Sequence, residues 1–218
     1  MSEWFRNTDW SPQIEKDFFQ RLGRARSQKL EYLRIQAITL CEFQPRVSLA
    51  LIERYLEINS GSSNEQAYET QAHAYISLGE SESAAASFEK ALYCHNIHPF
   101  FNTQIGFDFP LLVATCKMTK RYDRALQVIE DFQSGMIFPV NRLKKYAAQA
   151  LILTELGRQE VASEFALMAI READEQQSSF SRHSGIGLVG HEHNRLLEVL
   201  QALSGNNRNS GRDVGVNA

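Results

Sequence analysis

The chain has 218 residues, 43% of them hydrophobic, which is enough to bury a substantial core. Its formal net charge at pH 7 is −3, so the composition indicates no general affinity for nucleic acid or for an anionic membrane surface. No apolar run approaches the roughly 18 residues of a membrane-spanning helix, and the N-terminus lacks the basic and apolar segments of a secretory signal. Three widely spaced cysteines indicate buried free thiols in a reducing cytoplasm.

The N-terminal segment, residues 1–26, combines an aromatic stretch with a capping helix. Ser11 and Pro12 mark the start of that helix, with the hydroxyl as the cap and proline in the first turn. The stretch "WFRNTDW" before it, from Trp4 to Trp10, holds three large rings. These rings either fold back over the first helices or form an exposed docking element. Folding back is favoured, because exposed apolar patches are rare on monomers.

A helix pair is predicted next, over "LEYLRIQAITLCEFQPRVSLALIERYLEI". The break falls at Gln44 and Pro45, because proline ends a helix. Ala50 lies 34 residues before Ala84, which suggests that this pair is a degenerate copy of the unit that follows. The spacing therefore predicts a first, divergent helical repeat.

Residues 65–175 contain three copies of one unit, which is an internal repeat. Displacement by 78 residues carries the small and aromatic residues of the first copy onto the same types downstream. The matched pairs are Tyr68 with Tyr146, Ala72 with Ala150, Gly79 with Gly157, Ala84 with Ala162 and Ala91 with Ala169. Displacement by 41 residues gives a weaker middle copy, in which Val113 and Lys120 take the places of the small residue and the turn glycine.

Each copy is predicted to form two antiparallel helices joined by a tight turn. Tyr68 and Ala72 lie on one face of the first helix, and Ala84 and Ala91 lie on one face of the second. Gly79 stands where a left-handed residue ends the first helix. Two helices approach closely only where side chains are short, so Ala72 and Ala84 are predicted to mark the crossing.

This order of aromatic, small residue, aromatic, glycine, then Ala-x-x-x-Phe resembles the tetratricopeptide repeat (TPR). The recognisable copies are 65–95, 106–132 and 143–173. The resemblance implies an all-α fold, an α-solenoid of stacked antiparallel helix pairs over residues 27–204 with capping helices at both ends. The closing helix is predicted at about 191–203, in "HNRLLEVLQAL". Residues 205–218 are too polar to fold and are predicted to form a disordered tail.

In proteins of this family, the first helices of the pairs line a concave face that binds a partner. The resemblance therefore implies a non-enzymatic module that binds a protein or peptide, without cofactor or metal. It would act in a bacterial cytoplasm as an adaptor, a regulator or an immunity/antitoxin-type inhibitor. The residues that the resemblance places on the concave face are Gln66, Glu69, His73, Ile76, Phe107, Ala114, Lys117, Lys144, Ala147 and Leu151.

Two other hypotheses stay open. Basic residues cluster at Arg21–Arg34 and Arg142–Lys145, so the alternative is a helical regulator that contacts nucleic acid through these clusters. A weaker hypothesis is a metal enzyme that uses His183, His191 and His193. Residues 191 and 193 diverge on a helix, so capping of the last helix is favoured. The sequence has no nucleophile elbow and no phosphate-binding loop, so catalysis is not predicted.

Overall fold

The computed structural model describes residues 3–59, 61, 64–97, 103–132, 136–176 and 185–210. Over these residues the fold is all-helical, which confirms the predicted fold class at that level. The described helices are α1 (Pro12–Arg24), α2 (Lys29–Leu40), α3 (Pro45–Ile58), α4 (Glu65–Ser77), α5 (Ser81–Ile97), α6 (Ile105–Thr115), α7 (Tyr122–Asp131), α8 (Pro139–Glu155), α9 (Gln159–Ala173) and α10 (Asn194–Ser210). None of these helices has the length and apolarity needed to cross a lipid bilayer.

The chain forms two compact units, Met1–Ile105 and Gly106–Ala218, which we call unit 1 and unit 2. Within each unit, helices pack mainly against their neighbours in the chain. In unit 1, α2 packs on α3, α3 on α4 and α4 on α5. In unit 2, α7 packs on α8, α8 on α9 and α9 on α10. The boundary between the units falls inside the predicted repeat domain 27–204.

The N-terminal aromatic segment folds back onto unit 1. The ring of Trp4 lies 5.5 Å from that of Phe18, and the ring of Trp10 lies 5.3 Å from the same side chain. The backbone N–H of Asn7 donates to Gln36 Oε1 at 2.9 Å, and Gln36 Nε2 donates back to the Asn7 carbonyl at 2.7 Å. The interpretation of "WFRNTDW" as a packing element is therefore confirmed.

Helix starts follow the sequence signals more closely than helix ends. The Ile14 N–H donates to Ser11 Oγ at 3.3 Å at the start of α1, and α3 begins at Pro45. The predicted end of the closing helix at residue 203 is wrong, because α10 continues to Ser210. Once anchored by its apolar residues, a helix adds turns through backbone hydrogen bonds alone. Residues 211–218 of the predicted tail lie outside the described residues.

Three turns between paired helices share one hydrogen-bond pattern. Each has a residue at positive φ, namely Gly79 (75°), Gly157 (76°) and Lys117 (51°). In each, the next residue donates its N–H to the carbonyl five residues back, at 2.9 to 3.0 Å. This is the Schellman arrangement that satisfies the last carbonyls of a helix. The middle turn is therefore centred on Lys117, and the prediction of Lys120 for that position is wrong.

The middle turn differs because it is longer. A 3₁₀ turn, Thr119–Arg121, separates the left-handed Lys117 from the start of α7. When the turns are aligned, Pro110 rather than Val113 takes the place of Ala72. In α6, the backbone instead lies close to the side chain of Phe132 at Gly106, where an added Cβ would be 2.2 Å from Phe132 Cγ. The middle turn contains three more residues than the other two turns. The displacement of 41 residues therefore aligns α6 three positions out of register with α4.

The second helices of the pairs share a small, buried fourth residue. These residues are Ser48 in α3, Ala84 in α5, Ala125 in α7 and Ala162 in α9, and each is at most 1% exposed. The predicted burial of Ala84 and Ala162 is confirmed. The assignment of Ala50 to this position is wrong, because Ala50 is exposed and Ser48 lies at the buried site.

The left-handed turns yield a stability prediction. We expect Gly79→Ala to lower the free energy of unfolding by about 1 kcal/mol, because an L-residue at positive φ carries a conformational cost. An added Cβ at Gly79 meets no atom within 4 Å, so packing does not contribute to this effect. Gly23 has equally open surroundings within α1 of the same unit. Gly23→Ala should therefore stabilise by about 0.5 kcal/mol. Urea denaturation followed by circular dichroism measures both, and equal effects would contradict the turn assignment.

The buried small residues yield a second prediction. Ala162→Arg should lower the free energy of unfolding by at least ~3 kcal/mol, because it forces a long charged side chain into a helix contact. Val161, the preceding residue, is 44% exposed, so Val161→Arg should change stability by no more than about 0.5 kcal/mol. Thermal melts of the two variants provide the comparison. Similar melting temperatures would mean that Ala162 does not sit at a tight contact.

Candidate functional site

Four of the predicted partner-binding residues lie on α4 in unit 1, and most of them make contacts inside that unit. Gln66 is half-buried. The carboxylate of Glu69 accepts the backbone N–H of Gln104 at 2.9 Å. The ring of His73 lies edge-on to that of Phe88, with 5.6 Å between centroids. Ile76, the aliphatic residue of the four, is 40% exposed. Of these four side chains, only Ile76 offers an exposed apolar surface to a partner.

In unit 2, burial overturns the prediction that Ala147 contacts a partner. Ala147 is fully buried in a cluster with Ala166, Ala169 and Leu200. Leu200 comes from α10, which covers this part of the α8 face. Phe107, also expected on the binding face, is 1% exposed. These two side chains belong to the core of unit 2, and a partner cannot reach them while the unit is folded.

Lys144 is also engaged inside unit 2. Its Nζ lies 2.6 Å from Asp108 Oδ1, and the two side chains are only 18% and 10% exposed. The ammonium of Lys144 is held by a carboxylate 36 positions earlier in the chain, and its contact with a partner stays a prediction. Its charge also acts on His193. Burial, and then the charge of Lys144, lower the pKa of the His193 imidazole.

The basic cluster Arg142–Lys145 is largely neutralised in the fold. The guanidinium of Arg142 pairs with Glu172 at 2.7 Å and donates to the Met136 carbonyl at 2.8 Å. With Lys144 paired as well, two of the three basic side chains in this cluster are internal. In the other cluster, Arg34 pairs with Glu31 at 2.6 Å. In the Arg21–Arg34 cluster, by contrast, Arg21, Arg24 and Arg26 are exposed, so contact with nucleic acid through that cluster stays a prediction.

The histidines considered as metal ligands lie in two places. His183 is outside the described residues. His191 and His193 lie on a single 3₁₀ turn directly before α10, which is the capping position expected from the sequence. The Nδ1 atom of His193 lies 3.3 Å from Glu192 Oε1. The turn places both side chains directly before α10, and their role as caps of that helix stays a prediction.

Unit 2 contains a surface groove of about 700 Å³ between α6, α8 and α10. We call it the α10 groove. Three residues that the resemblance places on the binding face line it, namely Lys117, Leu151 and Ala114, although Ala114 is only 4% exposed. The remaining lining residues are Thr115, Thr154, Glu155, Arg195, Leu196, Val199 and Leu203. The fold thus assembles part of the predicted surface, with a wall from α10 that sequence reasoning did not assign to it.

The contribution of α10 was missed for a physical reason. The sequence predicts this helix only as a closing helix and gives its apolar residues no part in binding. In the structure Leu200 is fully buried while Val199, its neighbour in the sequence, is 44% exposed. The apolar residues of α10 are therefore divided between the core and the groove. Helical periodicity indicates that a face is apolar, but it does not indicate what covers that face.

Most polar groups of the α10 groove already have partners. The hydroxyl of Thr115 donates to the Leu111 carbonyl at 2.7 Å, and that of Thr154 donates to the Ala150 carbonyl at 2.8 Å. At the rim, Lys117 Nζ lies 2.7 Å from Glu155 Oε1. This contact raises the pKa of the Lys117 ammonium. The groove therefore combines an apolar floor with a charge pair at one edge.

Comparisons with known proteins do not extend this description. The chain matches no protein-family model, no curated protein and no solved structure. The candidate site is therefore defined by the geometry of the groove and by the chemistry of its lining residues.

The ion pair inside unit 2 yields a third prediction. Lys144→Glu should lower the free energy of unfolding by about 3 kcal/mol, because it places a second carboxylate beside the mostly buried Asp108. Lys145→Glu, one residue along the same helix, should change it by no more than about 0.5 kcal/mol. Chemical denaturation at low and high salt measures both variants. If Lys144→Glu is as stable as Lys145→Glu, the ion pair does not hold α6 to α8.

Proposed function

We propose that the chain is a non-enzymatic protein-binding module of the TPR type, and that the α10 groove holds a segment of a partner protein. The observation that carries the proposal is an accessible apolar groove built from three helices of one unit. Leu151 lies half-buried on one wall, and Val199 is 44% exposed on another. Apolar side chains that stay accessible in a concave surface are typical of sites that another molecule covers.

The repeat architecture supports the TPR part of the proposal. Three turns have the same Schellman hydrogen bonds, and four second helices have a small buried residue at the same position. A unit that recurs with the same turn and the same close contact is what an α-solenoid requires, since each pair must bury its apolar face on a neighbour. We therefore propose stacked antiparallel pairs, with α1 and α10 as the capping helices.

The polar groups of the groove favour binding over catalysis. Its two threonine hydroxyls bond to carbonyls of their own helices, and Lys117 and Glu155 neutralise each other. A nucleophile needs a base within hydrogen-bond reach, and the lining residues do not supply that pair. Shape and apolar contact are what the groove offers. The same surface would serve an adaptor, a regulator or an immunity/antitoxin-type inhibitor in a bacterial cytoplasm.

Substitution on the groove floor tests the function. We expect Leu151→Asp to speed dissociation of a bound partner at least ~10-fold, because it replaces an apolar anchor with a charge. Val161→Asp is the matched control, since Val161 is exposed on α9 and does not line the groove. Proteins captured from the native cell by the parent chain and by the control variant, but not by Leu151→Asp, are the expected partners. Their dissociation rates from immobilised chain then give the measured effect.

Two results decide the outcome of that experiment. Melts must show that Leu151→Asp remains folded, and Val199→Asp provides a second substitution from a different helix and at a more exposed position. If both folded variants retain every captured protein with unchanged dissociation rates, the α10 groove is not the binding surface and the proposal fails.

A further inference from the structure

We propose that the occupant of the α10 groove is a short amphipathic helix of a partner protein, with one acidic side chain beside its apolar face, and that Arg195 binds that carboxylate. This inference rests on the proposed function and adds the chemistry of the partner. It follows from the charges, the backbone groups and the length of the groove.

The charge of the groove leaves one cation for a ligand. Of the three charged lining residues, Lys117 and Glu155 pair with each other across 2.7 Å. Arg195 is exposed and forms no ion pair with any residue that the structure describes. A guanidinium binds a carboxylate through two parallel hydrogen bonds, and such charge-assisted bonds are stronger than neutral ones. The complementary ligand group is therefore a single carboxylate at the Arg195 end of the groove.

The backbone of the ligand must form its hydrogen bonds internally. Apart from the helix ends at Thr115, Glu155 and Arg195, the walls are helix interior whose backbone groups bond within the helix, and the hydroxyls of Thr115 and Thr154 are used in the same way. An extended peptide needs donors and acceptors along its path, and these walls do not provide them. A helix forms its backbone hydrogen bonds internally and presents only side chains. The walls therefore select a helical ligand.

The length of the groove fits two turns of a helix. The residues of α10 that line it run from Arg195 to Leu203, which is about 12 Å at a rise of 1.5 Å per residue. Anchors at positions i, i+3 or i+4, and i+7 of a bound helix span about 10 Å. Three apolar anchors can therefore contact Leu196, Val199 and Leu151 while a carboxylate at one end reaches Arg195.

The openness of the groove favours a protein over a free fatty acid, which also has one carboxylate and an apolar tail. Small-molecule sites bury most of their ligand's surface. Here Val199 is 44% exposed, and the side chain of Lys117 is 70% exposed at the rim. An apolar tail in this groove would remain in contact with water on one side. A helix instead turns its polar face, or the rest of its own protein, towards that side.

A peptide selection with charge reversal tests the inference. A phage library of 14-residue peptides on a helix-forming scaffold, with one face randomised, is selected on the full-length chain. Parallel selections use Arg195→Glu, Leu151→Asp and the matched control Arg171→Glu. Arg171 is exposed on α9 and does not line the groove. Melts verify that each variant is folded, and fluorescence anisotropy gives the affinity of each selected peptide.

The expected result is specific. The parent chain and Arg171→Glu should select peptides with Leu, Ile, Phe or Met at i, i+3 or i+4, and i+7, and with Asp or Glu at one flanking position. Arg195→Glu should select Lys or Arg at that position and should bind the best acidic peptide at least ~10-fold more weakly, the size of one charge-assisted contact. Leu151→Asp should weaken all selected peptides.

Other results overturn the inference in distinguishable ways. Apolar helices selected without an acidic preference, or with a preference that Arg195→Glu leaves unchanged, would contradict the inference but leave the proposed function standing. Selected peptides that are extended rather than helical would do the same. Peptides that bind Leu151→Asp as well as the parent would overturn both. Oleate that binds the parent more tightly than any selected helix, and loses this binding in Arg195→Glu, would assign the groove to a fatty acid.

Discussion

The burial of small side chains at one position in four helices is the constraint on which the rest of the structure depends. Ser48, Ala84, Ala125 and Ala162 occupy the same position in four helices, and none is more than 1% exposed. Packing at these points brings the larger apolar residues on either side into contact. It also requires turns that reverse the chain tightly, which explains why three of them use a left-handed residue with the same hydrogen bonds.

The same constraint explains why unit 2 has both a covered face and an open one. A helix pair always leaves one apolar face for a neighbour to bury. On α8, the part of that face at Ala147 is covered by Leu200 of α10. The part at Leu151 is lined by α10 but not filled by it. The α10 groove is therefore the uncovered remainder of a packing face, which is why its floor is apolar and its polar groups are few.

Local features of this fold could be predicted from the sequence, and long-range ones could not. The helix starts at Ser11 and Pro45 and the turns at Gly79 and Gly157 depend on residues a few positions apart, so the sequence alone indicated them. The contact between Lys144 and Asp108 joins residues on different helices, and no periodicity reports it. The family resemblance placed Lys144 on the binding face, whereas in the structure its ammonium is paired inside unit 2. At Lys117, the left-handed residue is not a glycine, so the usual signal was absent.

Because one wall of the groove is a terminal helix of unit 2, occupancy and local unfolding are thermodynamically linked. Elements with few packed neighbours open more readily than central ones, and α10 packs mainly on α9, with a smaller contact to α8. When α10 opens, Val199 and Leu203 leave the groove and the site ceases to exist. A ligand that binds only the closed form must therefore slow amide hydrogen exchange along α10 in proportion to its saturation. In this fold, the protection of one helix is a direct measure of how much of the groove is filled.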